Sequence, residues 1–192
     1  MEAIKVTSDV STAINILNIE SSRDIPAGAS VQLSYLINGN VIEQGTPLSE
    51  PTSGIRNVCK QAVCLTGSTT TVKNVATGKH NFKVGEFLCT KTGGKAYAIT
   101  DITETSGVDA ITVGTAIEAN AAGSFIYEAA AEAAATTSTF LNVPTCISAK
   151  AFVVDNTKII EAIPALVGAS IKGGVIGSGY LSLLKNIDEI NY

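Results

Sequence analysis

One histidine, four cysteines, a small group of acids and a run of glycines are the residues of this chain with the chemistry for catalysis, metal binding or ligand capture. His80 is the side chain whose ordinary pKa suits a general base near neutrality. It stands between Lys79 and Asn81 in a polar segment, and no serine or cysteine sits in a nucleophile signature such as G-x-S-x-G. It reads as a surface or turn histidine. Asp101, Glu104 and Asp109 lie close together in sequence, and two acids held across a cleft can cut a glycosidic bond. Such clefts commonly stack sugars on aromatic rings, yet the chain has no Trp. The acids therefore read as solvating one polar loop region, with a weak cation site as the sharper alternative.

The remaining groups are no more pointed. Cys59, Cys64, Cys89 and Cys146 contain no C-x-x-C pair, the C-x4-C gap from Cys59 to Cys64 misses the zinc-knuckle spacing, and His80 follows Cys64 by 16 residues. Most of the cysteines fall in apolar or Thr-rich stretches, where free buried thiols are common. The glycines Gly173, Gly174, Gly177 and Gly179 spell G-G-x-x-G-x-G, but no Lys-Ser/Thr follows and no strand-to-helix signal frames them. Turns or close backbone packing is the plainer reading. No catalytic, cofactor-binding or metal-ligating residue is assigned, and no enzyme activity is expected.

Composition then sets the elements available to position these residues. Apolar residues make up 45% of the 192, aromatics only 5%, so the core must be aliphatic. Ile, Thr and Val number 21, 21 and 16, whereas Gln appears three times and Met once, a bias toward strands. The net charge is −4 and only Arg23 and Arg56 are arginines, which disfavours polyanion binding; no nucleic-acid partner is expected. No run approaches 18 apolar residues and no apolar h-region follows Met1–Lys5, so neither a membrane span nor a secretory signal is expected. Synthesis in a reducing cytoplasm, with thiols mostly free, follows as an expectation.

Along the chain, residues 1–50 read as a first unit. Ile4–Thr7 is a short strand, residues 8–22 a loop or strand, and Val31–Tyr35 alternates like a half-buried strand. Asn38-Gly39 is a hairpin signal, with Val41–Gln44 as the returning strand. Gly45–Gly54, rich in Pro, Ser and Thr, reads as a linker, and a boundary is placed near residue 50. In Ile55–Leu65 either Val58 and Ala62 or Val63 and Leu65 face a core.

Residues 51–135 form the central module. Glu86–Thr90 runs extended, Gly93-Gly94 turns, and Lys95–Thr103 returns as a hairpin. After a polar loop from Glu104 to Asp109 come strands at Ala110–Val113 and Ser124–Glu128. So many short strands call for closure into a small barrel or sandwich. The alanine tract 129–135 is helix-prone as a free peptide, and either a short helix or an extended link fits it. The isolated lysines Lys5, Lys73, Lys79, Lys83, Lys91 and Lys95 read as solvated faces and edge protection.

Residues 136–192 read as a β-rich segment that packs on the barrel or forms an oligomer interface. Cys146–Val154 is a strand, Asp155-Asn156 a turn, and Lys158–Ile163 its hairpin partner, closed by Pro164. Residues 180–192 read as a terminal helix or strand. The fold class is mainly β: a small barrel or sandwich, an N-terminal hairpin unit and a β-rich C-terminal segment.

The order HNFKVGEFLCTKTGGKAYAIT, a polar loop, then DAITVGTAIEANAAGSFIYEA resembles the core of phage head-fibre and capsid-decoration proteins. In that pattern a V-G-[DE] turn enters a strand, a G-G-K-A turn follows, then a D-x-[IL]-T-V-G strand and an Ala-Gly loop into a strand ending in Glu-Ala. It covers about a third of the chain and has no catalytic signature. It implies a structural virion protein on the capsid surface, with the major capsid protein and copies of itself, as a homotrimer, for partners, and residues 1–50 as a possible docking arm. A carbohydrate- or host-surface-binding β module is the alternative reading.

Overall fold

A computed structural model describes residues 16–26 and 28–190, and over these the chain is mainly β. The strand expected at Ile4–Thr7 lies outside the described residues. In chain order the elements are β1 (Ile16–Asp24), β2 (Ala29–Gln32), β3 (Val41–Ile42), β4 (Pro47–Ser49), β5 (Ile55–Arg56), β6 (Gln61–Val63), β7 (Val72–Ala76), β8 (Phe87–Cys89) and β9 (Ala96–Thr105). They continue with β10 (Val108–Val113), β11 (Phe125–Ala129), β12 (Pro144–Ser148), β13 (Phe152–Val153), β14 (Ile160–Ile163), β15 (Ala165–Lys172), the single-turn helix α1 (Ser178–Leu181) and β16 (Ile187–Ile190).

The central sheet has the order β6-β11-β8-β9-β10-β7. Turn chemistry builds most of it. The segment containing Gly93-Gly94 joins β8 to β9, which pair antiparallel from Phe87↔Ala98 to Cys89↔Ala96. The polar loop expected from Glu104 to Asp109 is instead a two-residue turn: Ser106 and Gly107 both take positive φ (53° and 80°), so β9 runs on to Thr105 and β10 starts at Val108. Two consecutive positive-φ residues match the right-handed twist of the flanking strands. The sheet curls until Leu65, just beyond β6, donates its N–H to the Asn74 carbonyl of β7 (2.7 Å), but among the described residues no sheet closes into a barrel. Of the two pairs proposed for the 55–65 segment, Val58 and Ala62 are buried, whereas Val63 is 38% exposed.

Strands distant in sequence build the rest. A second sheet runs β1-β15-β12-β4, with β16 parallel to β15; a third runs β14-β2-β5, and β13 pairs with β3. The expected hairpin across Asn38-Gly39 does not form. The turn is there, with Gly39 at φ 82°, but β2 pairs with β14 and β3 with β13. Residues 33–36 decide this: the Leu36 N–H closes a tight turn on the Leu33 carbonyl, and both leucines are fully buried, which spends residues that a two-strand hairpin would need. The hairpin between 146–154 and 158–163 fails likewise, because β12 binds β4 and β15 while β14 binds β2.

One further expectation changes, and one open choice is decided. The Gly45–Gly54 stretch contains β4, fully buried and paired with β12, so this part is sheet and not linker. The alanine tract forms no helix: Ala133 exchanges both backbone hydrogen bonds with Ala96 (2.8 and 2.9 Å), and Ala130 donates to Thr139. Those bonds to neighbouring strands satisfy the backbone groups that a helix would have paired internally. Residues 180–192 hold both the end of α1 and the strand β16.

Three hydrophobic clusters result. One fills the central sheet with Phe82, Leu88, Ile99, Ile111, Val113 and Ile126. A second combines Val31, Leu33, Leu36 and Leu48 with Cys146, Val154 and Ile163, so its members come from both the 1–50 and the 136–192 stretches. The third packs Tyr127, Phe140, Ile147, Ile171, Ile176 and Tyr180.

Candidate functional site

The alternation of β10 puts Asp109, Ile111 and Val113 on its inward face. A carboxylate thus enters the core and needs partners. His80 supplies one: its Nε2 lies 2.8 Å from Asp109 Oδ2, and the Thr77 hydroxyl donates to Oδ1 (2.9 Å). The Phe82 N–H donates to His80 Nδ1 (3.2 Å), which places the ring proton on Nε2, facing the carboxylate. His80 is 3% exposed, so the expected surface histidine is a buried one. Both ring nitrogens are committed. The same segment ties the central sheet to the Asn38-Gly39 turn, because Asn81 Oδ1 accepts the Ile37 N–H (3.0 Å) and Asn40 Nδ2 donates to the His80 carbonyl.

Beside this strut lies a cleft of about 360 Å3, walled by Val41, Ala62, Val75 and Phe125 and carrying the Glu43–Lys79 ion pair. It is the joint between the central sheet and the β3 region. Asp101 does not join Asp109: it is exposed on β9 and accepts the Thr103 hydroxyl (2.8 Å). Glu104, three residues along and on the opposite face from Asp101, is the register partner of Asp109 across the β9–β10 pair, and its side chain is exposed. Among the described residues no group of three or more His, Cys, Asp or Glu side chains is placed to hold a metal.

The glycine run serves packing and turns. A Cβ at Gly177 would come within 2.2 Å of the Tyr127 hydroxyl, and one at Gly179 within 2.9 Å of the Phe140 ring. The Gly177 N–H donates to Gln61 Oε1 (2.9 Å) and the Gly179 N–H to the Tyr127 hydroxyl (3.1 Å), so these donors are already taken. The four cysteines are buried and free. Burial pushes every thiol up: Cys59 well above its ordinary value, Cys89 to about 12, and Cys64 and Cys146 upward against the pull of Lys73 and Arg56 respectively. Such thiols are poor nucleophiles.

Two lysines were not legible as buried. Lys73, expected on a solvated face, is 0% exposed: β7 alternates, Lys73 shares the inward face with Val75, and its Nζ donates to the carbonyls of Thr69 (2.6 Å) and Glu118 (2.7 Å). Burial lowers its pKa. Lys60, 2% exposed, pairs with Glu86 and, at 3.2 Å, with Glu128, while its Nζ sits 5.1 Å from the centre of the Tyr35 ring. Tyr35 donates its hydroxyl to the Val58 carbonyl (3.1 Å) and accepts the Val58 N–H. The apolar stem of each lysine fills core space, and the charge finds acceptors at its end. The alternation V-K-N-V in β7 was the available signal for Lys73; Lys60 had none.

The chain matches no protein-family model, no curated protein and no solved structure.

Proposed function

We propose that this chain is a non-enzymatic structural protein of a virus particle, a subunit that decorates the capsid exterior and assembles with copies of itself. The observation that carries this reading is the use made of the reactive side chains. His80, Asp109, Lys60, Lys73 and the glycine N–H groups are committed to holding strands together. The motif residues behind the head-fibre resemblance have the same character: Gly85 and Gly93 take positive φ in turns, and D-A-I-T-V is β10. The stretch supplies framework.

The test has two stages. The native mass of the purified chain is measured by light scattering, with about three times 19.7 kDa expected. Co-sedimentation with capsids lacking this protein then asks for saturable binding. A monomer that does not bind any such capsid overturns the reading. Deleting residues 1–50 is a poor probe of docking, because it removes Val31, Leu33, Leu36 and Leu48 from a shared core. For the carbohydrate-binding alternative, Tyr127, Tyr180 and Phe140 are not available as a sugar-stacking surface, because they pack on one another in the interior with ring centres 4.7–5.0 Å apart.

A further inference from the structure

Two carboxylates share one buried lysine at the point where the three hydrophobic clusters meet. Val58 belongs to one cluster, Cys59 to another and Ala62 to the third, and Lys60 lies among them. Its Nζ contacts Glu86 Oε1 and stands 3.2 Å from Glu128 Oε1. Glu86 is anchored further by the Lys83 N–H, which donates to its Oε2 (2.9 Å). Glu128, at 3% exposure, has no such second anchor: its Oε2 is buried with no hydrogen-bond partner. With both acids ionised one lysine faces two carboxylates; Glu86, with a side chain 22% exposed, still meets water, whereas Glu128 carries its charge in the interior, an expensive arrangement. One added proton makes the site neutral, as a Lys60–Glu86 ion pair beside a carboxylic acid.

We propose that Lys60, Glu86 and Glu128 form a one-proton site, with Glu128 as the group that takes the proton, and that its uptake tightens the junction of the three cores. Burial raises the Glu128 carboxyl above its ordinary range; Lys60 opposes this and Glu86 reinforces it. The other titratable groups facing the site are Tyr35, the Cys59 thiol and Tyr180 of α1, whose hydroxyl donates to the Lys60 carbonyl (3.2 Å). Burial pushes all three upward, so each stays neutral in mild acid.

The sign follows from linkage. A carboxyl raised in the folded chain binds a proton that the unfolded chain has already released, so its contribution to stability is complete below the ordinary carboxylate value and is lost as pH rises through the folded value. The protein therefore gains stability on mild acidification, before the ordinary acid losses begin. The experiment compares thermal unfolding of the wild type and Glu128→Gln from about pH 7.5 to about pH 5. The expected result is a wild-type Tm that climbs relative to the variant by about 3 °C for each pH unit by which the carboxyl is raised. Parallel curves overturn the proposal. The wild-type chain also gives a direct reading that needs no variant to fold: 13C NMR of the glutamate carboxyls should show one midpoint above the ordinary 4.5, moving down in Glu86→Gln. A set of midpoints all at or below 4.5 overturns it equally.

Discussion

The central sheet and the sheets around it are made of similar residues but assembled by different rules. In the central sheet β8, β9 and β10 follow one another through short turns, and Ser106-Gly107 fixes a register that carries Asp109 inward. In the surrounding sheets β1 pairs with β15, β4 with β12 and β2 with β14, each across more than 90 residues. Local turn chemistry specifies the first region. The second exists only when chain segments that share no turn bury a common core, as Leu33 and Leu36 do with Cys146 and Ile163. The two regions are fastened by a shared hydrophobic cluster, in which Cys89, Ala96 and Tyr127 of the central sheet pack with Ile147, Leu166 and Ile171, and by hydrogen bonds of Asn40, Asn81 and Tyr180.

This contrast breaks if the regions prove independent. Tyr180→Ala empties a fully buried position against Tyr127 and Phe140 and should cost about 4 kcal/mol, measured by urea unfolding. A single transition shared by probes in both regions would show that the surrounding sheets and the central sheet unfold together; two separated transitions would show the fastening to be weak. His80→Ala leaves the Asp109 carboxylate without its ring partner and should cost about 2 kcal/mol in the same assay. Unchanged stability would mean the strut carries no strain between regions. Gly107→Ala forces a side chain into φ 80° with open space around it, so the loss should be only about 1 kcal/mol, confined to the hairpin tip in hydrogen exchange.

The smallest effect is a titration within the central sheet. Although burial opposes it, the N–H groups of Glu118 and Lys95, the Thr90 hydroxyl and Lys91 hold the Glu118 carboxyl below its ordinary range. The stability it contributes is present above the ordinary value of 4.5 and lost as pH falls through the lower folded value. Glu118→Gln should lower Tm slightly near neutrality and flatten that part of the acid limb, the two proteins converging as pH falls below the folded value.

What was legible in the sequence follows the same division. The β8–β9 turn, the strands near 110–113 and 124–128, and the mainly-β class come from glycine positions and period-2 alternation, both local properties. The Asn38-Gly39 turn was legible too, but its pairing was not, because a turn signal names no partner strand. The alanine tract left helix and extended link open for a related reason: helix propensity is a property of the free segment, and it is Ala96 and Thr139 that satisfy its backbone here. His80 looked like a surface residue because the polar stretch 104–109 hid the fact that V-D-A-I-T-V puts Asp109 on the same face as Ile111. Lys60 was beyond reach, since its two carboxylates come from positions 26 and 68 residues away.

Pairing across the length of the chain also sets an order of events during synthesis. On the ribosome the hairpins between 87 and 113 can close within a few residues of being made, but β4 must wait from Pro47 until Pro144 before its partner exists, and β1 waits from Ile16 for β15. Until then Leu48 and Leu36 have no core to enter, and the first-made strands are the last to find shelter. A nascent chain halted at residue 135 would display these aliphatic residues to whatever binds exposed apolar segments. One released past Ile187 would not.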